Sequence, residues 1–398
     1  MEIYSPTLFI EINNSEYIFV VGDEDGQENF NLIYKCSVPI QGIKNYRIID
    51  FDLAFNEIKK NILTIEQKLN FTFKDTILII NNFDCSFLNL TGFKKLNGSQ
   101  ILKEHITYIL NSLKSNIDQT ESKKTILHIF NSKYFLDKKK IENLPIGLFG
   151  NFYSHELSFC LINNNDYNNL NKIFDSCNLK IKKILLKSFA EGSLISNDNP
   201  EISTFFQITI NEHNSQIFYF ENDCLKFEQN FNFGSDLIVR DISKITSLKK
   251  NIVEKIISSP ALTKNISKDE LIEKQLFENE NYVKIKKNLI VEIAKARIKE
   301  FTEVMLIKNI NFASYKKKDQ LIFLRISNKF HLKCFEDYYQ SYFSKNNDFI
   351  FKFIENILIE ELINNVNKLV HYGWKKEAIP VAPLRKSVIA KLFDVLFN

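Results

Sequence analysis

A β-hairpin run followed by an amphipathic helix is written near the start of this chain and again near its middle, and that repetition limits the folds open to it. Residues 7–12 (TLFIEI) are β-rich and end at Asn13, Asn14 and Ser15. Residues 17–21 follow, a turn occupies 22–26, and 32–40 make a third strand, so the chain opens as an antiparallel meander. Residues 50–69 then place Leu53, Ala54, Ile58, Ile62, Ile65 and Leu69 at helical spacing, with Asp50 or Asp52 as N-cap. Residues 76–80 read as a buried strand. The pattern returns as strands at 205–210 and 216–220, joined by Asn211 to Ser215, and a helix at 236–246.

Between the two copies lies a stretch with its own logic, residues 84–163. Gly98 and Ser99 open a helix through Ile101, Ile106, Ile109, Leu110 and Leu113. A polar loop at 115–124 leads to strands at 125–130 and 132–136, a tight loop at 144–150 and a strand at 153–162. A helix at 167–177 and a strand at 181–186 return the chain to its first part. Beyond the second copy, 247–300 is charged and mostly helical, 321–326 is a strand, and 330–343 and 349–369 are helical in pattern.

Composition removes several classes of function. The formal net charge is +4 with 25% charged residues, too mild for the basic face that nucleic acid requires. Cys36, Cys85, Cys160, Cys177, Cys224 and Cys334 form no C-x-x-C pair, and the six His are scattered, so neither a disulfide framework nor a zinc site is expected. No apolar run approaches the ~20 residues of a membrane span, and the first residues carry no signal-peptide pattern. Membrane contact is therefore expected to be peripheral. The chain has 10 glycines in 398 residues, where average usage would give about 28. Glycine-rich loops are scarce.

Hairpins, helix, strand, inserted module, then hairpins and helices again is the outline of a duplicated α/β core of the actin type. Several segments resemble the bacterial cell-division family FtsA: residues 92–100 (GFKKLNGSQ) with 106–110, then 126–128 and 134–137. Residues 144–150 (LPIGLFG) are similar to that family's N-P-x-G-M-x-G loop, and 292–297 (EIAKAR) to a helix of its outer lobe. The resemblance implies an actin-like, duplicated ribonuclease H-like two-lobe α/β fold with an inserted α+β subdomain in the first lobe. It implies first-lobe core at 1–83 and 164–200, the insertion at 84–163, second-lobe core at 201–246 and 306–372, an outer lobe at 247–305, a linker at 373–383 and a terminal helix at 384–398.

The same resemblance implies ATP and Mg as cofactors, and here the sequence departs from it. The first phosphate loop, D-x-G-[ST]-[ST]-K in the family, reads Glu11-Ile12-Asn13-Asn14-Ser15-Glu16. Glu11 keeps the acid and Ser15 a hydroxyl, while the glycine is Asn13 and the lysine is Glu16, an acid beside a polyanion. The second loop, D-x-G-G-G-T-T in the family, reads Thr209 to Ser215 with no glycine and no aspartate. The next motif survives in Gly234, Ser235 and Asp241. The adenosine loop reads Arg325-Ile326-Ser327-Asn328, again without glycine. Glu11, Ser15, Gly234 and Asp241 are thus the remnants of an ATP pocket, expected to bind weakly or not at all and to catalyse no hydrolysis. Glu11 and Ser15 read equally as ordinary turn residues at a strand end.

At the end of the chain, Pro380 and Pro383 bracket a linker, and Pro383 suits a first helical turn. On a wheel of about 100° per residue, Leu384, Val388, Ile389, Leu392, Phe393, Val395 and Leu396 share about half the circle. Arg385, Lys386 and Lys391 are the basic residues of this segment, and Arg385 can snorkel outward from the apolar half. Such a helix suits an anionic membrane surface, or it docks on the chain's own core. The resemblance favours the membrane. It further implies FtsZ and other division proteins as partners, a self-polymer, no nucleic acid, and a place on the cytoplasmic face of the inner membrane at the division septum. An active ATPase of the actin, chaperone and sugar-kinase superfamily and an actin-like pilus adaptor are the alternatives.

Overall fold

A computed structural model describes residues 6–13, 15–24, 30–44, 47–81, 83–259, 262, 267, 269–277, 281–317, 320–327, 335–344 and 349–378. The chain divides into two compact units. The first comprises residues 1–203, 220–228 and 357–398, and the second 204–219 and 229–356.

The first unit opens with β1 (Thr7–Ile12), β2 (Glu16–Glu24) and β3 (Phe30–Pro39). Short turns force neighbouring strands to run antiparallel, and these three form a meander. A two-residue pair, β4 (Ile43–Lys44) and β5 (Arg47–Ile48), leads to α1 (Phe51–Leu69). Asp50 caps α1 by accepting from the Leu53 N–H, Asn70 closes it in the left-handed conformation at φ 49°, and Ala54, Ile58, Ile62 and Ile65 form its buried face. The helix carries the chain over to β6 (Asp75–Ile80), which pairs parallel with β1. Later, α3 (Asn164–Ser176) makes the second crossover to β11 (Lys180–Leu186), parallel with β6. The sheet order is β11-β6-β1-β2-β3. Numbered within the sheet and read from β3, that is 3-2-1-4-5, the ribonuclease H-like order. From Leu8 to Ile12 and from Thr76 to Ile80 every residue is buried, as expected where crossover helices cover a parallel sheet. Helix α4 (Lys187–Asp198) follows β11.

The insertion interrupts the crossover between β6 and α3. It consists of β7 (Cys85–Lys95), α2 (Lys103–Thr120), β8 (Lys124–Leu136), β9 (Lys139–Ile141) and β10 (Phe152–Asn163), with sheet order β7-β10-β8-β9. Ile106, Ile109, Leu113 and Ile117 of α2 pack on Tyr153, Leu157, Phe159 and Leu161. Gly92 lets the helix approach, since a Cβ there would lie 2.4 Å from the Ile109 side chain.

The second unit repeats the plan. Its strands are β12 (Phe205–Asn211), β13 (Ser215–Glu221), β14 (Cys224–Phe231), β15 (Gln320–Ser327) and β16 (Phe349–Phe353), in the order β14-β13-β12-β15-β16. β12, β15 and β16 run parallel, so this sheet is also 3-2-1-4-5. Between β14 and β15 lie α5 (Asp236–Thr246), α6 (Lys250–Ser258), α7 (Lys287–Thr302) and α8 (Ile310–Tyr315). Helix α9 (Glu336–Ser344) crosses to β16, and α10 (Ile359–Tyr372) returns the chain to the first unit. The fold is therefore actin-like, with two ribonuclease H-like halves and an inserted α+β subdomain in the first.

Residues 349–369 differ from the sequence reading. They are not one helix but β16 followed by α10. Phe349, Phe351 and Phe353 alternate with Ile350 and Lys352, and that period of two forms a strand once β15 offers its edge. β7 and β14 were not expected as strands. Segment 330–343 was expected to be helical, and its described part is helical from Glu336.

His155 lies in the core of the insertion, 1% exposed, between the rings of Tyr134 (4.8 Å) and Tyr153 (6.1 Å). Burial pushes its imidazole from 6.5 down to about 3, partly offset by Glu156 and reinforced by Lys376. A group that must stay neutral in the fold adds stability above its unfolded pKa and loses it as acid is added. Urea-unfolding midpoints of the full chain should fall between pH 6.5 and about 3, and His155→Phe should flatten part of that fall.

Candidate functional site

In this fold the turns at the carboxyl ends of β1 and β12 are where phosphate loops would sit, and each unit contributes one. In the first unit, Asn13 closes the turn with its own side chain. Its Oδ1 accepts from the Ser15 N–H (2.9 Å), the Ser15 hydroxyl (3.2 Å) and the Glu16 N–H (2.9 Å). The Asn13 N–H in turn donates to the Glu16 carbonyl at 3.2 Å. Backbone N–H groups of a phosphate loop converge on an anion. Here a carboxamide oxygen of the chain occupies that role for two of them.

The acid of this half is also engaged. Glu11 is 1% exposed, and its Oε1 lies 2.7 Å from Nζ of Lys187, the first residue of α4. The next residue, Ser188, donates to the Glu228 carboxylate. The ammonium of Lys187 balances the charge of the buried Glu11 carboxylate. Glu11 Oε2, like Asn81 Oδ1 just beyond β6, has no hydrogen-bond partner among the described residues.

The second unit closes its turn differently. The Asn211 N–H donates to the Asn214 carbonyl (2.8 Å) and the Asn211 side chain to Asn214 Oδ1 (2.7 Å). The N–H groups of Ser235 and Asp236, at the start of α5, donate to the carbonyls of Asn211 and Glu212, both at 2.9 Å. Helix-start donors that could meet a phosphate are spent on the loop. Gly234 makes this possible. A Cβ there would stand 2.3 Å from the Asn211 carbonyl oxygen and 2.4 Å from that of Glu212. His213 Nδ1 lies 3.2 Å from Asp236, which also pairs with Arg240.

The four residues picked from the sequence thus have separate settings. Glu11 pairs with Lys187, and Ser15 belongs to the Asn13 turn. Gly234 sits under the β12–β13 turn. Asp241 points to α7, where Arg297 Nε donates to it at 2.6 Å. That contact and burial act in opposite directions on Arg297, and the contact wins, holding its guanidinium above its ordinary pKa. Asp241 thereby joins α5 to α7. Arg325, Ile326 and Ser327 lie in β15 rather than in a loop, and Asn328 lies outside the described residues. Leu384, Arg385, Lys386, Val388, Ile389, Lys391, Leu392, Phe393 and Leu396 likewise lie outside the described residues. Lys187 is the residue that sequence reasoning missed. Nothing in its spacing from Glu11 signals a partner 176 positions away.

Taken half by half, these donors and acceptors do not suit a magnesium–triphosphate. The N–H groups of Ser15, Glu16, Ser235 and Asp236 are committed to the chain, no glycine stands in either turn, and Glu16 and Glu212 add negative charge. Among the described residues no cluster of His, Cys, Asp and Glu could hold a metal, and no helix is long and apolar enough to cross a membrane.

Two substitutions probe this architecture. Lys187→Met leaves the Glu11 carboxylate buried without its cation and should destabilise the first unit by about 3 kcal/mol in urea unfolding. Gly234→Ala drives a methyl group into two backbone oxygens. It should lower the thermal midpoint and raise amide exchange at Ser235 and Asp236.

No family model matches the chain. Among curated proteins it is similar to the cell division protein FtsA of Neisseria meningitidis serogroup B, 20% identical over 300 residues, 75% of this chain and 72% of that protein. It is also similar to FtsA of Buchnera aphidicola subsp. Baizongia pistaciae, 23% identical over 248 residues. That match covers 62% of this chain and 58% of the relative's length. Among solved structures the PilM–PilN type IV pilus biogenesis complex superposes with a TM-score of 0.52 at 9% identity, covering 89% of this chain and 93% of the other. In sequence the chain is FtsA-like, and in fold it is an actin-like protein.

Proposed function

We propose that the chain is a membrane-tethered, actin-like adaptor of bacterial cell division that anchors FtsZ to the inner membrane, recruits other division proteins, and does not hydrolyse ATP. The observation that carries the non-enzymatic part is the Asn13 turn, whose carboxamide accepts the N–H groups of Ser15 and Glu16. The division role is supported by the likeness to two FtsA proteins. A basic, amphipathic pattern at 384–396 supports a peripheral attachment to anionic lipid on the cytoplasmic face of the septal membrane. One such helix binds reversibly, and a self-polymer would strengthen it by multivalency.

A second reading, an actin-like adaptor of pilus assembly, has one observation in its favour, the fold likeness to the PilM–PilN complex. Co-sedimentation with vesicles containing anionic lipid separates the two. The full chain should pellet, a chain ending at Ala382 should stay in solution, and FtsZ should pellet only with the full chain. FtsZ left in the supernatant beside a pelleted full chain would sink the division reading and leave the pilus one standing. Equal pelleting of both chains would remove the anchor. Calorimetric titration with Mg-ATP should give no saturable heat, and micromolar affinity would overturn the non-enzymatic part.

A further inference from the structure

After α10 the chain turns at Gly373, φ 75°, and residues 374–378 run along β8 of the insertion. They occupy the side of β8 that β9 covers only at Tyr134, Phe135 and Leu136. The Asn131 N–H donates to the Lys376 carbonyl and the Ala378 N–H to the Ile129 carbonyl, both at 2.7 Å, around an antiparallel bridge of Phe130 with Glu377. Both ends are pinned. The Trp374 indole is buried and donates to the Asp223 carbonyl at 2.8 Å, and Ala378 lies in the apolar core of the insertion.

Between the pins, Glu377 turns inward among ionisable groups. Its side chain is 2% exposed, with Oε2 at 3.1 Å from Lys183 Nζ on β11 and Oε1 at 3.7 Å from His128 Nδ1 on β8. His128 Nε2 accepts the Leu186 N–H at 3.3 Å, so Nδ1 carries the ring proton that faces the carboxylate. Burial pushes the Glu377 carboxyl up, but Lys183 and His128 together outweigh it and hold the group below its ordinary range. The segment therefore ties two bodies of the first unit together, the insertion through β8 and the core sheet through β11.

We propose that residues 374–378 are a releasable latch, closed by the buried Glu377–Lys183 pair, whose opening frees the edge of β8. An apolar side chain at 377 would hold the strap by packing under all conditions. A carboxylate holds it only while the ammonium stands opposite, because either ion left alone in such a site is strongly disfavoured. The other ties are two backbone hydrogen bonds, the Trp374 indole and a half-exposed Lys375–Asp223 pair at 2.8 Å, each weaker than the loss of a partner to a buried ion. The coupling is reciprocal: drawing residues 374–378 away bares β8, and a strand pairing with β8 displaces residues 374–378. It stands whatever the terminal segment binds.

Amide hydrogen exchange on the full chain tests it, read at Asn131 and Ala378 with the β1 amides as internal reference. Glu377→Gln should speed exchange at both positions about tenfold or more and leave β1 unchanged. The double variant Lys183→Met with Glu377→Leu removes both charges and should return exchange to the native rate or slower. The latch is refuted if Glu377→Gln leaves both amides as protected as before, if β1 accelerates equally, or if the double variant exchanges as fast as the single one.

Discussion

The parallel pairing of β1 with β6 sets the terms for the rest of the first unit, as that of β12 with β15 does for the second. A parallel neighbour cannot be reached by a tight turn, so the chain must cross over through a helix, and a crossover tolerates insertion. The extra subdomain sits in such a connection, between β6 and α3, where it leaves the order of all five strands intact. The central strands β1 and β6 are buried on both faces, and in such a sheet ligand chemistry gathers at the carboxyl ends of the strands. The turns after β1 and β12 lie at those ends.

What distinguishes this chain is how those ends are filled. A phosphate loop stores unsatisfied N–H groups and keeps them apart with glycine until a ligand arrives. Here Asn13 satisfies one set, the carbonyls of Asn211 and Glu212 satisfy another, and Lys187 neutralises the acid. Each replacement is local, uses short polar side chains suited to turns, and leaves the strands beneath unchanged.

Much of this was legible beforehand where the signal is local. The period of three and four in α1 and the Asp50 cap depend on neighbours in sequence, and they are found where the pattern puts them. The loss of glycine from both turns was equally plain. The rest depends on distant partners. β16 is a strand because β15 lies beside it. Asp241 pairs with Arg297 across a helix pair. Lys183 and Lys187 are two ordinary lysines until the fold sets them against Glu377 and Glu11. Charge pairing at that separation leaves no periodicity to read.

The acceptor in the Asn13 turn differs from a bound ligand in concentration. A bound solute fills its site to a degree set by its level in the surroundings. An acceptor built into the chain is present once per molecule at a fixed local concentration. The turn that Asn13 closes is therefore filled to the same degree at any level of a dissolved solute.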